Sequence, residues 1–152
     1  MRSLLPTLLA LAATALPSVS AHARDPALIG VERLQVTVEL PPDELIRFGL
    51  TQALLEEAVR EGLGTRFGTP EETKDVARLH LDLNLTMYNF YSWGVRLEVE
   101  RALSIEGQPG AFTRRVVWST GRLGGTLLPQ EARQLADVAR ELAQTLRSEL
   151  AK

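Results

Sequence analysis

Two runs with an apolar residue at every second position constrain this chain more than any other feature. They are Leu79, Leu81, Leu83, Leu85 and Met87, then Val95, Leu97, Val99, Leu103 and Ile105. A period of two belongs to strands with one buried and one wet face, whereas helical apolar positions recur every three or four residues. Tyr88-Asn89-Phe90-Tyr91-Ser92-Trp93-Gly94 joins the runs and holds both tyrosines, one of the two tryptophans and one of the four phenylalanines. The pattern predicts a long antiparallel ribbon over 78–105 with an aromatic tip.

Keeping both odd sets on one face leaves three pairings to weigh. Two of them set Asp82 opposite Glu98 or opposite Glu100, like-charge pairs that cost stability. The third sets Asp82 opposite Ala102, Tyr88 opposite Arg96 and Phe90 opposite Gly94, so that a ring covers a strand glycine. This third pairing is the expected register, with Tyr91, Ser92 and Trp93 as the loop. It gathers Tyr88, Phe90, Tyr91, Trp93 and Arg96 at one end as a candidate binding surface. The alternative is that these aromatics form a small second core beneath the loop 62–75.

Upstream, Leu34, Val36, Val38 and Leu40 alternate with polar residues as a first strand, which Pro41-Pro42 ends. Asp43 suits the start of a short turn to Phe48, and Thr51 the cap of an amphipathic helix to about Glu61, with Leu54, Leu55, Ala58 and Val59 as its stripe. Gly62, Gly64 and Gly68 then break the helix, and a capped turn can start at Thr69, where Pro70 and Glu72 follow at suitable positions. Downstream, Gly107-Gln108-Pro109-Gly110 is a turn, Phe112 to Trp118 a further strand, and Gly121, Gly124 and Gly125 a flexible connection. Pro129 opens a long helix to about Leu150 with Leu135, Val138, Leu142, Leu146 and Leu150 on one stripe. Two helices on one face of a four-stranded sheet, in the order β-α-β-β-β-α, bury all these stripes at once. The expected class is an α+β two-layer sandwich whose last three strands form an antiparallel meander.

At the start of the chain, Arg2, the apolar run 4–16 and Ala21-His22-Ala23 have the three parts of a secretory signal cleaved after Ala23. The run is shorter than the roughly 20 residues that a spanning helix requires. Residues 1–23 are therefore expected to be a cleaved signal and 24–152 one α+β domain, placed in the periplasm or secreted. The whole chain has a formal net charge of −2, and the signal carries only Arg2, so bulk charge does not draw the protein to nucleic acid. With no cysteine there is neither a disulfide nor a thiol for a lipid anchor, and no transmembrane anchor is expected in 24–152.

Catalytic and cofactor patterns are weak. His80 lies two residues from Asp82 on the wet face, but no motif places a nucleophile beside them, so a small hydrolase is the least favoured function. Glu98 and Glu100 point the same way about 7 Å apart, as expected of a solvated sheet face. Arg101 falls on the apolar parity, a position that suits a snorkelling side chain at the sheet rim. With His80 the one histidine after the signal, neither a transition-metal site nor a cofactor is expected.

The order of strand, helix, three meandering strands and helix behind an export signal resembles small envelope proteins of the lipopolysaccharide-assembly lipoprotein type (LptE-like). The resemblance covers Leu34 to Leu150 as topology and patterning, although the chain lacks that family's lipid-bearing cysteine, and no residue role is carried over. The expected function is non-enzymatic: an exported accessory protein of the envelope that binds a protein partner or an amphiphile at the aromatic tip, in transport or assembly. The alternative is a carrier holding a lipid or other apolar ligand between helices and sheet.

Overall fold

Alternation of apolar and polar residues builds a four-stranded mixed sheet in the computed structural model, which describes residues 25–86 and 88–152. The expected signal, 1–23, and Met87 of the ribbon lie outside the described residues. The strands are β1 (Gln35–Val38), β2 (Val76–Leu85), β3 (Tyr91–Ser104) and β4 (Phe112–Leu127), in that spatial order. β1 runs parallel to β2, and the other pairs are antiparallel, so the α+β class and the meander are as expected.

The parallel crossover from β1 to β2 carries α1 (Asp43–Arg47) and α2 (Gln52–Leu63). Thr51 begins α2 by accepting the Leu54 amide on its Oγ1, satisfying one of the amides that have no partner within a helix. At the Thr69 turn the Glu72 carboxylate accepts the Thr69 amide in the same way. Pro129–Glu131 form one 3₁₀ turn before α3 (Gln134–Leu150). Leu55, Val59 and Leu63 of α2, Leu135, Leu142, Leu146 and Leu150 of α3, and Leu79, Val95, Leu97 and Val99 of the sheet share one core. Burying each such side chain stabilises the fold by about 1.5–3 kcal/mol. Gly62 lets α2 approach α3: a Cβ there would stand 2.5 Å from the Ala143 Cβ. Arg101, on the inward parity, ties the N-terminal stretch to the sheet by donating to the carbonyls of Ala27 and Ile29.

Two expectations are corrected. The ribbon pairs Asp82 with Gly94, His80 with Arg96 and Leu85 with Tyr91, so neither Tyr88 opposite Arg96 nor Phe90 opposite Gly94 occurs. The chain turns earlier, at Asn89, whose φ of 58° suits an asparagine better than most side chains. Around it the Asn89 amide donates to the Thr86 carbonyl and the Thr86 amide to the Phe90 carbonyl. This register also avoids the carboxylate pairs and sets Arg78 opposite Glu98.

The second correction concerns Gly121, Gly124 and Gly125, which lie inside β4 and are not a flexible connection. Cross-strand neighbours explain why strand glycines are tolerated here. Trp93 pairs with Gly124, and a Cβ on Gly124 would stand 2.2 Å from the indole; the Leu123 side chain covers Gly94 in the same manner.

Candidate functional site

The shifted register separates the residues that the sequence gathers. Tyr88 and Phe90 stay at the tip, their rings stacked with centroids 6.2 Å apart and an interplanar angle of 11°. Tyr88 is 76% exposed, and Leu85 beside the turn is also exposed. Tyr91 instead opens β3 on the inward parity, is 5% exposed, and donates its hydroxyl to the Glu44 carboxylate of α1. Trp93 lies partly buried against the core over Gly124. Arg96 projects from the opposite face of β3, where its Nε is 3.3 Å from Glu98 Oε1. The two tip rings thus form one surface, Tyr91 anchors it to α1, and Arg96 belongs to a separate charged ladder.

That ladder runs across the face of the sheet opposite the shared core. His80 Nδ1 lies 2.8 Å from Glu39 Oε1 and its Nε2 2.9 Å from Glu98 Oε2. A neutral imidazole offers one N–H and carboxylates only accept, so both contacts are hydrogen bonds when the ring carries both protons. Arg78 donates through two nitrogens to Glu100 at 2.8 and 3.2 Å, a fork that holds β2 to β3. His80 therefore bonds two carboxylates, and among the described residues its partners include neither a nucleophilic hydroxyl nor Asp82. The arrangement can clamp three strands; it is not a catalytic triad. Among the described residues no group of three or more histidine, cysteine or acidic side chains is placed to hold a metal ion.

Two shallow depressions flank Leu123 on this same face, both lined by Asp82 and Gly94, with Asn84 and Ser92 on one side and Arg96 and Gly121 on the other. Sequence patterning alone points to neither, because glycines inside a strand mimic a linker until their cross-strand cover is known. Leu123 is 84% exposed.

No family model, curated protein or solved structure matches this chain. Function therefore rests on its own residues.

Acid stability follows from the ladder. Burial opposes ionisation of Glu39, but the Leu81 amide, the hydrogen bond and charge of His80 and the charge of Arg78 outweigh it and hold the carboxyl below its ordinary 4.5. The hydrogen bond from Arg78 does the same for Glu100, against a smaller effect of burial. A carboxyl depressed in the folded state contributes stability that is fully present above its unfolded value and lost as pH falls through its folded one. Denaturant midpoints are therefore expected to hold steady in this respect above about pH 4.5 and fall below it. The double variant Glu39→Gln, Glu100→Gln should flatten that acid limb; an unchanged limb places the acid-sensitive groups elsewhere.

Proposed function

We propose that this chain is a non-enzymatic, exported binding or accessory protein of the cell envelope, acting in transport or assembly, and that it engages a protein partner or an amphiphile through the hairpin tip. The observation that carries this reading is the stacked pair of Tyr88 and Phe90 at the end of the ribbon, with Tyr88 largely in solvent. Two rings held in place by a tight turn offer apolar area at little entropic cost, which is what a contact surface uses. Export and a periplasmic or secreted location rest on the three-part pattern of residues 1–23. Among the described residues no helix is long and apolar enough to cross a membrane.

A carrier of lipid between helices and sheet has less support, since Leu55, Leu63, Leu97, Leu135 and Leu146, which face that interior, are fully buried against one another. The test is retention of envelope components from a detergent extract on the immobilised chain, beside the double variant Tyr88→Ser, Phe90→Ser. Loss of a stoichiometric partner from the variant is expected, with its thermal midpoint kept. Equal retention by both chains removes the tip from the function, and a stoichiometric lipid extracted from the purified protein establishes the carrier instead.

A further inference from the structure

The sheet ends in two unlike edges. β1 has four residues, and just before it Leu34 bridges to Phe67, with the Gly68 amide donating to the Leu34 carbonyl. β4 has sixteen residues and, among the described residues, pairs with β3 alone. An antiparallel ladder uses the backbone groups of alternate residues, so the intervening amides and carbonyls of an edge strand point away from the sheet. Among the described residues no backbone group outside the β3 ladder is bonded to β4 between Phe112 and Thr126. Nor does proline interrupt this edge, and a Cβ on Gly125 would meet nothing within 4 Å.

Charge selects what can pair there. β4 contains Arg114, Arg115 and Arg122 and no acidic residue, within a chain of net charge −2. Arg122 is paired with Glu141 of α3, whereas among the described residues neither Arg114 nor Arg115 forms an ion pair, although the charge of Arg114 reaches Glu100. Lys74 stands over one ring with Arg114, their charged groups 4.9 and 5.7 Å from the centroid of Phe112. The corner where β4 begins is therefore a cationic cluster around a half-exposed aromatic. Edge arginines deter pairing of two identical chains, because antiparallel self-pairing would concentrate like charge with no acid to offset it. They do not deter a strand of opposite sign.

We propose that the open edge of β4 takes up an extended, acidic strand of a partner protein, whose backbone continues the sheet and whose carboxylates on the open face meet Lys74 and Arg114. Alternate side chains of the guest lie on the open face, where Arg114 falls with Phe112, Val116 and Leu123, and the intervening ones lie on the other face with Arg115 and Trp118. The surface is distinct from the tip and stands without it.

Amide hydrogen exchange of the full chain tests this with two synthetic peptides of about ten residues, ample for a strand, one alternating Glu with Val and the other Lys with Val. The acidic peptide is expected to slow exchange over 112–127, less so at high salt, while the basic one does not. Lys74→Glu with Arg114→Glu should weaken the acidic peptide about tenfold or more and admit the basic one. Reversed preference is a result that misfolding does not imitate; should that variant not fold, Lys74→Glu carries the same comparison. Tyr88→Ser with Phe90→Ser should leave peptide binding unchanged, so the two surfaces fail or stand separately. The proposal is overturned if neither peptide protects β4, if both bind equally, or if the chain dimerises through β4 unaided. Vesicles of anionic phospholipid binding at Lys74 and Arg114 while the acidic peptide does not would overturn it too.

Discussion

Gly62→Ala is expected to lower stability by about 2 kcal/mol or more, although alanine is the better helix former by about 1 kcal/mol. The opposing effect is local crowding. The added Cβ would stand 2.5 Å from the Ala143 Cβ and 2.6 Å from the Arg140 carbonyl oxygen. A flexible side-chain end can swing aside, but a backbone carbonyl in α3 moves only with its helix, so α2 and α3 must separate. Separation costs contacts along their whole seam, where Leu55, Val59, Leu63, Ala139, Ala143 and Leu146 are buried. Denaturant midpoints provide the measurement, with Gly125→Ala as the control in open space, expected within about 0.5 kcal/mol of the parent. A Gly62→Ala chain as stable as the parent would show that the helices are less closely packed than described.

The elements that sequence patterning locates well are those whose signal is local. Leu79, Leu97 and Val99 keep their inward parity, Thr51 caps α2, and the stripe of α3 from Leu135 to Leu150 is buried. All of these depend on spacing along one segment. Register depends on two segments and the turn between them. Like-charge avoidance chose among three pairings, but the position of Asn89, a residue that tolerates positive φ, decides where the strands meet. The glycines of β4 failed for a related reason. Gly121 and Gly124 resemble a linker in one dimension, and the groups that cover them, Trp93 above all, arrive from β3.

The same distinction governs the candidate site. An aromatic cluster in sequence becomes one exposed and one half-buried ring, one buried phenol and one indole on the core, because residues on opposite sides of a turn alternate between faces. His80 stands out as a lone titratable group, but Glu39 follows β1 on the neighbouring strand and no spacing rule connects the two. Leu123 and the open edge of β4 became visible with the strand order, once Gly121–Gly125 were part of the strand.

Tyr91 and Tyr88 should respond oppositely to the same substitution. Tyr91→Ser removes a buried ring and leaves Glu44 without its phenolic donor, for an expected loss of about 3 kcal/mol or more. Tyr88→Ser removes a ring that is largely in water and should stay within about 0.5 kcal/mol of the parent. The paired variant Tyr91→Ser, Trp93→Ser would therefore test the core and not the binding surface, whereas Tyr88→Ser with Phe90→Ser tests the surface. Alkaline titration tests the anchor as well, because the hydrogen bond to Glu44, then burial and the charge of Glu44, push the Tyr91 phenol from 10.0 up to about 12. A phenol raised in the folded state contributes stability that is fully present below its unfolded value and lost as pH rises through the folded one. Ultraviolet titration should then show Tyr91 ionising only near 12, with stability falling between 10.0 and about 12, and Glu44→Gln should bring that ionisation down. Equal thermal midpoints for Tyr91→Ser and Tyr88→Ser would mean that Tyr91 is not the anchor between the hairpin and α1.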